Sequence, residues 1–544
     1  MTRERTPAPA PGADGELSHR QVLVVLSGLL LGMFLSSLDQ TIITTAMRTI
    51  ADELEGQTAQ AWVTTAYLTT ATITVPLYGK LSDMYGRRPF YLFAIGAFVV
   101  GSVLCGTAQS IYELAGWRAV QGIGAGGLMS LAFAIVGDLV PPRERGRYSA
   151  YFMTVFATSS VLGPLVGGAF AGQDQLLGIA GWRWVFLVNV PVGLVAMAVV
   201  ARNLRLPPRR SEHRIDAVGA SLLAAAVVPV LLLAERGREW GWGSALVVGL
   251  AIGSVVALVA FVLWERRMRE EAILPLRMFR DSVFAMTTAT SLLVGAAMFG
   301  GFVVLPLYLQ IVRGASPTSA GLQLVPLMAG IILTSGIVGR VMSRTGRYKV
   351  FPVAGTAVLL VAMLLFTRLE VDTPFWQVMA SMVVLGAGLG LCMQTLVIAV
   401  QNALPPRDMG VATSSVTFFR SMGGTLGAAA SLAVLFGSLA PNIQARARAA
   451  GLSEDVVARF SSASSLDDST VIDRLPEAVR TAVLQGFTDS VQTVFLVVAV
   501  VLVPAFVLTL LVREVPLRSS SGLVAAREDA ATAARTTKTE TAVL

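Results

Sequence analysis

The sequence predicts an all-α polytopic membrane protein of fourteen transmembrane helices, built as two six-helix bundles with two further helices inserted between them. Three observations carry that prediction. Of the 544 residues, 54% are hydrophobic and only 14% charged, with a mean hydropathy of +0.68; soluble domains carry about 25% charged residues. The apolar residues gather in runs long enough to cross a ~30 Å hydrocarbon core, and the basic residues fall in the short connections between them. The chain also repeats its own Gly, Pro and Arg pattern halfway along.

The runs lie near 22–46, 60–79, 90–108, 113–137, 148–171, 184–201, 216–234, 244–264, 283–309, 320–340, 350–367, 375–402, 411–437 and 489–512. Numbered alternately from the inside, the inner connections hold Lys80, Arg87 and Arg88, then Arg143, Arg145 and Arg147, then the arginines of 202–214 and 266–280. Arg340, Arg344, Arg347, Lys349 and Arg407 complete the inner set. The outer connections before the last carry only Arg48, Arg183, Arg236, Arg238, Arg313 and Arg368. Cationic residues are retained on the cytoplasmic side, so both termini are expected there, in a cytoplasmic (inner) membrane. The net charge of +8 is accounted for by this asymmetry, and nucleic acid is not an expected partner.

The boundaries follow. Residues 1–20 and 513–544 read as disordered cytoplasmic tails, since 1–20 has no apolar core or cleavage site of a signal peptide. Residues 21–202 form the first bundle, 203–282 a linker with the two extra helices, and 283–512 the second bundle. The outer excursion 438–486 reads as a loop with helix starts at Ser453-Glu454-Asp455 and Leu475-Pro476-Glu477. Cys105 and Cys392 sit inside apolar runs as buried thiols, and no metal-ligand spacing is present.

The duplication is specific. PPRERG at 141–146 returns as PPRDMG at 405–410, and Gly122, Gly124 and Gly126 match Gly386, Gly388 and Gly390 at the same offset. Gly79, Gly86 and Arg87 match Gly339, Gly346 and Arg347 at nearly that offset. Such repeats generate two parallel halves related about the membrane normal. The extra pair then falls between the halves and is expected to be peripheral.

Few residues inside the runs bear chemistry. Asp39 lies deep in the first run, where a carboxylate costs at least about 2.5–3.5 kcal/mol and so is expected to face a cavity and to function. Counted along the helix rise, it stands ~25 Å above the inner edge, and Arg118 stands ~8 Å below the outer edge of the descending fourth run. Their depths agree in a ~30 Å core, so an ion pair or a protonation switch is open to them. In GKLSDMYGRR at 79–88, Gly79 permits close contact, and Asp83 suits the N-terminus of a neighbouring helix, which favours negative charge by about 0.3–1 kcal/mol. Gly163, Gly167 and Gly168 let helices approach, and Pro164 kinks its helix. Arg420 lies near the midplane with few acids to match it. A cavity holding Asp39 and Arg420 suits singly charged or neutral lipophiles better than dications. Tyr67, Gln121, Gln323 and Gln394 are the candidate cavity polar groups.

These motifs resemble the major facilitator superfamily, and within it the fourteen-helix multidrug branch of drug:proton antiporters. GKLSDMYGRR is similar to the family's loop between helices two and three, LDQTI around Asp39 to its first-helix motif, and Arg118 with Gln121, Gly122 and Gly124 to its fourth-helix motif. SVLGPLVGG at 160–168 resembles the antiporter motif of helix five, and GWRWVFLVNVPVG at 181–193, LPLYLQIVRGASPTSAGLQLVP at 305–326 and FFRSMGGTLG at 418–427 resemble further segments of this branch. The resemblance implies proton coupling through Asp39 and Arg118. It also implies a cytoplasmic latch of Gly79, Asp83, Gly86, Arg87, Arg88 and Asp138 against the helix beginning near Gly410. Ser343 replaces Asp83 in the second copy, so the charged latch is expected to be one-sided. The implied function is efflux of lipophilic or cationic drugs and antibiotics by alternating access, conferring antibiotic resistance, with no catalytic residue. The drive is the proton motive force with no cofactor, the metal none, and the molecule a monomer. Export of an endogenous metabolite, antibiotic or lipid on the same fold is the alternative, and a non-transporting receptor is a third reading. No G-x-x-x-x-G-K-[ST] motif is present to suggest ATP drive.

Overall fold

The computed structural model describes residues 19–204, 216–269, 271–451 and 475–518, with Ser521 and Val524. Helices α1 (His19–Glu53), α2 (Ala61–Tyr85), α3 (Arg87–Thr107), α4 (Ile111–Leu139) and α5 (Pro142–Ala171) precede a crossing made of α6 (Trp184–Leu187) and α7 (Asn189–Asn203). The inserted pair is α8 (Ala217–Trp240) and α9 (Ala245–Met268). The second set comprises α10 (Ser282–Ile311), α11 (Pro317–Gln323) running on into α12 (Val325–Thr345), α13 (Val350–Phe366), α14 (Phe375–Ala403), α15 (Met409–Ala449) and α16 (Glu477–Leu511).

Helices cover all fourteen apolar runs. Among the described residues, twelve are long and apolar enough to cross a membrane by length and composition alone. The other two are α2, diluted by threonines, and α13, which has 17 residues. The α2 threonines remain compatible with hydrocarbon because their hydroxyls bond back to their own helix, Thr70 to the Ala66 carbonyl and Thr74 to the Thr70 carbonyl.

Packing reproduces the duplication. In the first half α1 packs on α5 and α7, α4 on α2 and α3; in the second α10 packs on α15 and α16, α14 on α12 and α13. The repeated glycines explain this equivalence. A Cβ at Gly122 or Gly126 would strike the α2 backbone and one at Gly124 the α3 backbone; Gly386 and Gly390 meet α12, and Gly388 meets Leu359 of α13. The halves then join by an exchanged pair of contacts, α2 on α15 and α5 on α12.

Several expectations are corrected. The charged segment 79–88 is not a loop: α2 runs through Tyr85, and only Gly86, at φ 97, breaks it before α3 begins at Arg87. That left-handed backbone favours glycine. The inserted pair is outward-facing yet not detached, since α8 touches both α2 and α15 along the seam of the halves. The expected loop 438–486 is helical at both ends, through Ala449 and from Glu477, with Arg446 and Asp489 paired across it at 2.7 Å. The helix start at Ser453 and most of both tails lie outside the described residues. His19 and Arg20 of the first tail are helical. Residues 513–518 are packed, because Asn402 donates to the Val515 and Pro516 carbonyls and accepts from the Arg518 N–H at 3.0 Å.

Candidate functional site

Asp39 is fully buried on α1 and Arg118 is 1% exposed on α4. Arg118 Nη1 donates to Asp39 Oδ2 at 2.5 Å, while Asp39 Oδ1 accepts from Gln121 Nε2 and from Asn189 Nδ2, each at 2.8 Å. Four helices thus meet at one carboxylate, since Ser102 of α3 also accepts from Gln121 at 2.7 Å. The guanidinium lies over the Tyr67 ring at 3.9 Å, and the Tyr67 hydroxyl contacts Ser36 at 3.2 Å. Sequence depth paired Asp39 with Arg118. Asn189 and Ser102 were missed, having no charge to mark them inside apolar runs. Tyr67 and Gln121, expected in a substrate cavity, are fully buried parts of this cluster instead.

Protonating Asp39 would cancel the charge that compensates Arg118. A buried cation deprived of its partner is destabilised by about 3–5 kcal/mol, so protonation would force the cluster to rearrange. Beside it, α1 and α5 touch through the small residues: a Cβ at Gly163 would strike Thr41 and one at Gly167 Thr45. Thr41 donates to the Ser159 carbonyl at 2.9 Å. Pro164 lies within α5. Gly168 meets nothing within 4 Å, so it is not part of the seam.

Polar ties between the halves gather at the Arg-rich end. Asp83 accepts from the backbone N–H groups of Gly410 and Val411 at 3.1 and 2.9 Å, at the start of α15. Arg87 holds Asp83 at 2.6 Å and Asp138 at 2.8 Å. Gly79 sits against Ser414 and the Gly410 carbonyl, where any side chain would collide. Arg88 takes no part: it donates to the Ala201 carbonyl at 2.6 Å, in the last turn of α7.

The second-half copy is not idle. Arg143 of α5 donates to the Ser343 and Arg344 carbonyls at 2.8 and 3.1 Å, at the C-terminal end of α12. One tie therefore sets an anion on a helix N-terminus and the other a cation on a helix C-terminus, both favoured by the helix dipole. Buried Arg145 donates to Gln401 Oε1 at 2.7 Å, and Gln401 donates to the Phe133 carbonyl at 3.2 Å. Sequence reading counted Arg143 and Arg145 only as orienting charges; the repeated PPR motif was the available signal.

A Cβ on Gly339 would collide with the Gly146 carbonyl. Gly339→Val is accordingly expected to hold α5 and α12 apart. Labelling of a Met342→Cys reporter, buried here, by a membrane-impermeant thiol reagent at this end should rise several-fold. Unchanged labelling would show that this contact does not close the end.

Gln323 lies on α11 and donates to Ser319 Oγ at 3.1 Å, far along the chain from either cluster. Gln394 and Arg420 are 6% and 8% exposed on α14 and α15. Between the halves, Phe156 of α5 faces Phe302 of α10 with ring centroids 6.4 Å apart, and Phe299 adjoins Phe302 at 6.3 Å. These rings supply an apolar wall that the sequence did not single out.

Known proteins match this architecture. The family description Major Facilitator Superfamily fits residues 29–428. The chain is 33% identical over 507 residues to "Multidrug resistance protein 3" of Bacillus subtilis (strain 168), covering 91% of this chain and 96% of that one. It is 39% identical over 495 residues to an uncharacterized MFS-type transporter of Mycobacterium tuberculosis, covering 91% and 70%. Among solved structures, the proton:xylose symporter XylE bound to 6-bromo-6-deoxy-D-glucose superposes with a TM-score of 0.59 at 15% identity, over 94% of this chain and 99% of that one.

Proposed function

This chain belongs to the major facilitator superfamily, and from that premise we propose that it exports small lipophilic molecules, drugs among them, across the cytoplasmic membrane in exchange for protons. It is a membrane transporter and not an enzyme. The observation that carries the proton reading is the Asp39–Arg118 pair at 2.5 Å, sealed inside the first half with Gln121 and Asn189. One cation and two amides hold this carboxylate, and a conformational change would alter that set of partners. The Asp83, Arg143 and Arg145 ties sit at the Arg-rich end, which we take as cytoplasmic, so this conformation is closed on that side. Proton entry from outside would release Arg118, and the freed guanidinium would bias the halves toward opening inward.

Relatives named "Multidrug resistance protein 3" and "Multidrug transporter protein MdtP" support small-molecule export as the direction of function. The Phe156, Phe299 and Phe302 rings between the halves suit apolar cargo. The test is substrate flux in proteoliposomes under an imposed pH gradient, with simultaneous proton readout across a panel of lipophilic compounds. Substrate accumulation against its own gradient, collapsing with a protonophore, is the expected result. Flux indifferent to the pH gradient would overturn proton coupling.

A further inference from the structure

The second half holds a cation, Arg420, that no described residue neutralises. Helices α10 to α15 contain no acidic residue, and α16 contains only Glu477 and Asp489, the latter paired with Arg446. Yet Arg420 of α15 is 8% exposed, and among the described residues it makes no hydrogen bond and no ion pair. A guanidinium in a membrane interior with neither an acid nor a carbonyl to hold it is a marker of function, because a packing arginine would be bonded.

Its surroundings are donors as well. Gln401 of α14 donates to Thr413 of α15 at 2.9 Å, which fixes the register of these two antiparallel helices. Seven residues back along α14 is Gln394, and seven on along α15 is Arg420. Two helical turns return each to nearly the same face, which brings Gln394 and Arg420 to about one level along the two helices. Gln394 is 6% exposed and likewise makes no hydrogen bond among the described residues. On the other side, Gly423 abuts Leu292 and Gly427 abuts Ala296, so α10 runs parallel to α15. A Cβ on Gly295 would strike the Arg420 carbonyl, so α10 passes directly against the Arg420 backbone; further toward the start of α10, the buried Thr288 and Thr290 hydroxyls have no partner among the described residues.

Resting on the export reading above, we infer that Arg420 and Gln394 form a subsite for a single anionic group, a carboxylate above all, so that the cargo is an amphipathic acid and not a cation. The planar guanidinium fork matches a carboxylate and the Gln394 amide adds a third donor. Asp39 does not compete, since it lies in the other half with Arg118 on it. Proton carrier and cargo anchor would then sit in different halves, coupled only through the rocking of one on the other.

The test is fluorescence titration of the purified full-length protein with pyrenebutyric acid, its methyl ester and pyrenebutylamine, corrected for empty micelles. The acid should bind roughly tenfold to a hundredfold more tightly than the ester, with the amine weakest. Arg420→Gln should bring the acid to the ester's affinity, Arg420→Lys should keep part of the preference, and Gln394→Leu should weaken the acid alone. Equal binding of acid and ester to the parent overturns the inference without any variant. So does a preference that survives in an Arg420→Gln protein with unchanged melting temperature. Acid preference without proton-driven flux would remove the export reading and leave the subsite; the converse would remove the subsite only.

Discussion

Asp39→Asn is expected to abolish uphill export while leaving ligand binding and downhill exchange in place. The substitution keeps an oxygen for Gln121 and Asn189, whose amides donate to Asp39 Oδ1 at 2.8 Å. It turns an amide N–H toward Arg118 where a carboxylate oxygen stood at 2.5 Å. The variant thus mimics the protonated state permanently and leaves a buried guanidinium uncompensated, a loss of about 3–5 kcal/mol where relaxation is incomplete. The equilibrium between conformations should shift, and proton movement should no longer accompany substrate. Asp39→Glu retains a carboxylate at an altered distance and should keep partial activity with a displaced pH optimum. The measurement is efflux in everted vesicles under an imposed pH gradient with a proton readout. Uphill pumping by Asp39→Asn equal to the parent would place coupling elsewhere.

Asp83→Asn should insert normally, export poorly, and expose the Arg-rich end to thiol reagents. The carboxylate accepts from two backbone N–H groups at the start of α15 and pairs with Arg87. Removing its charge loses about 0.3–2 kcal/mol of helix-dipole interaction and leaves Arg87 with Asp138 alone. The Arg143 and Arg145 ties remain, so closure should weaken and not vanish. Arg143→Ala in the same chain should deepen the defect beyond either substitution alone, because the two ties bridge different helix pairs. Wild-type export by Asp83→Asn would reduce this segment to a signal for orientation.

The Asp83 tie is legible in the sequence because its parts are local: an acid, a conformationally free glycine and an arginine within five residues, repeated in a recognisable copy. The Arg143 tie was marked only by the repeated PPR motif, which names no partner. Its partners are backbone carbonyls, which every residue has, and only the approach of α5 to α12 selects two of them.

The sequence by itself determined the all-helical membrane architecture, the fourteen apolar runs, the two-fold repeat and the depth at which Asp39 meets Arg118. Hydropathy, charge and the 1.5 Å rise are properties of each helix alone. Tertiary structure alone decided that α2 continues through Asp83, that Asn189 and Ser102 complete the Asp39 cluster, that Gly168 lies outside the α1–α5 seam, and that Arg143 reaches the end of α12. Each of these depends on how a helix is rotated about its axis and which neighbour it faces. In a chain whose helices are apolar on most sides, no hydrophobic periodicity records that rotation; close contacts at glycines and bonds between distant polar residues fix it.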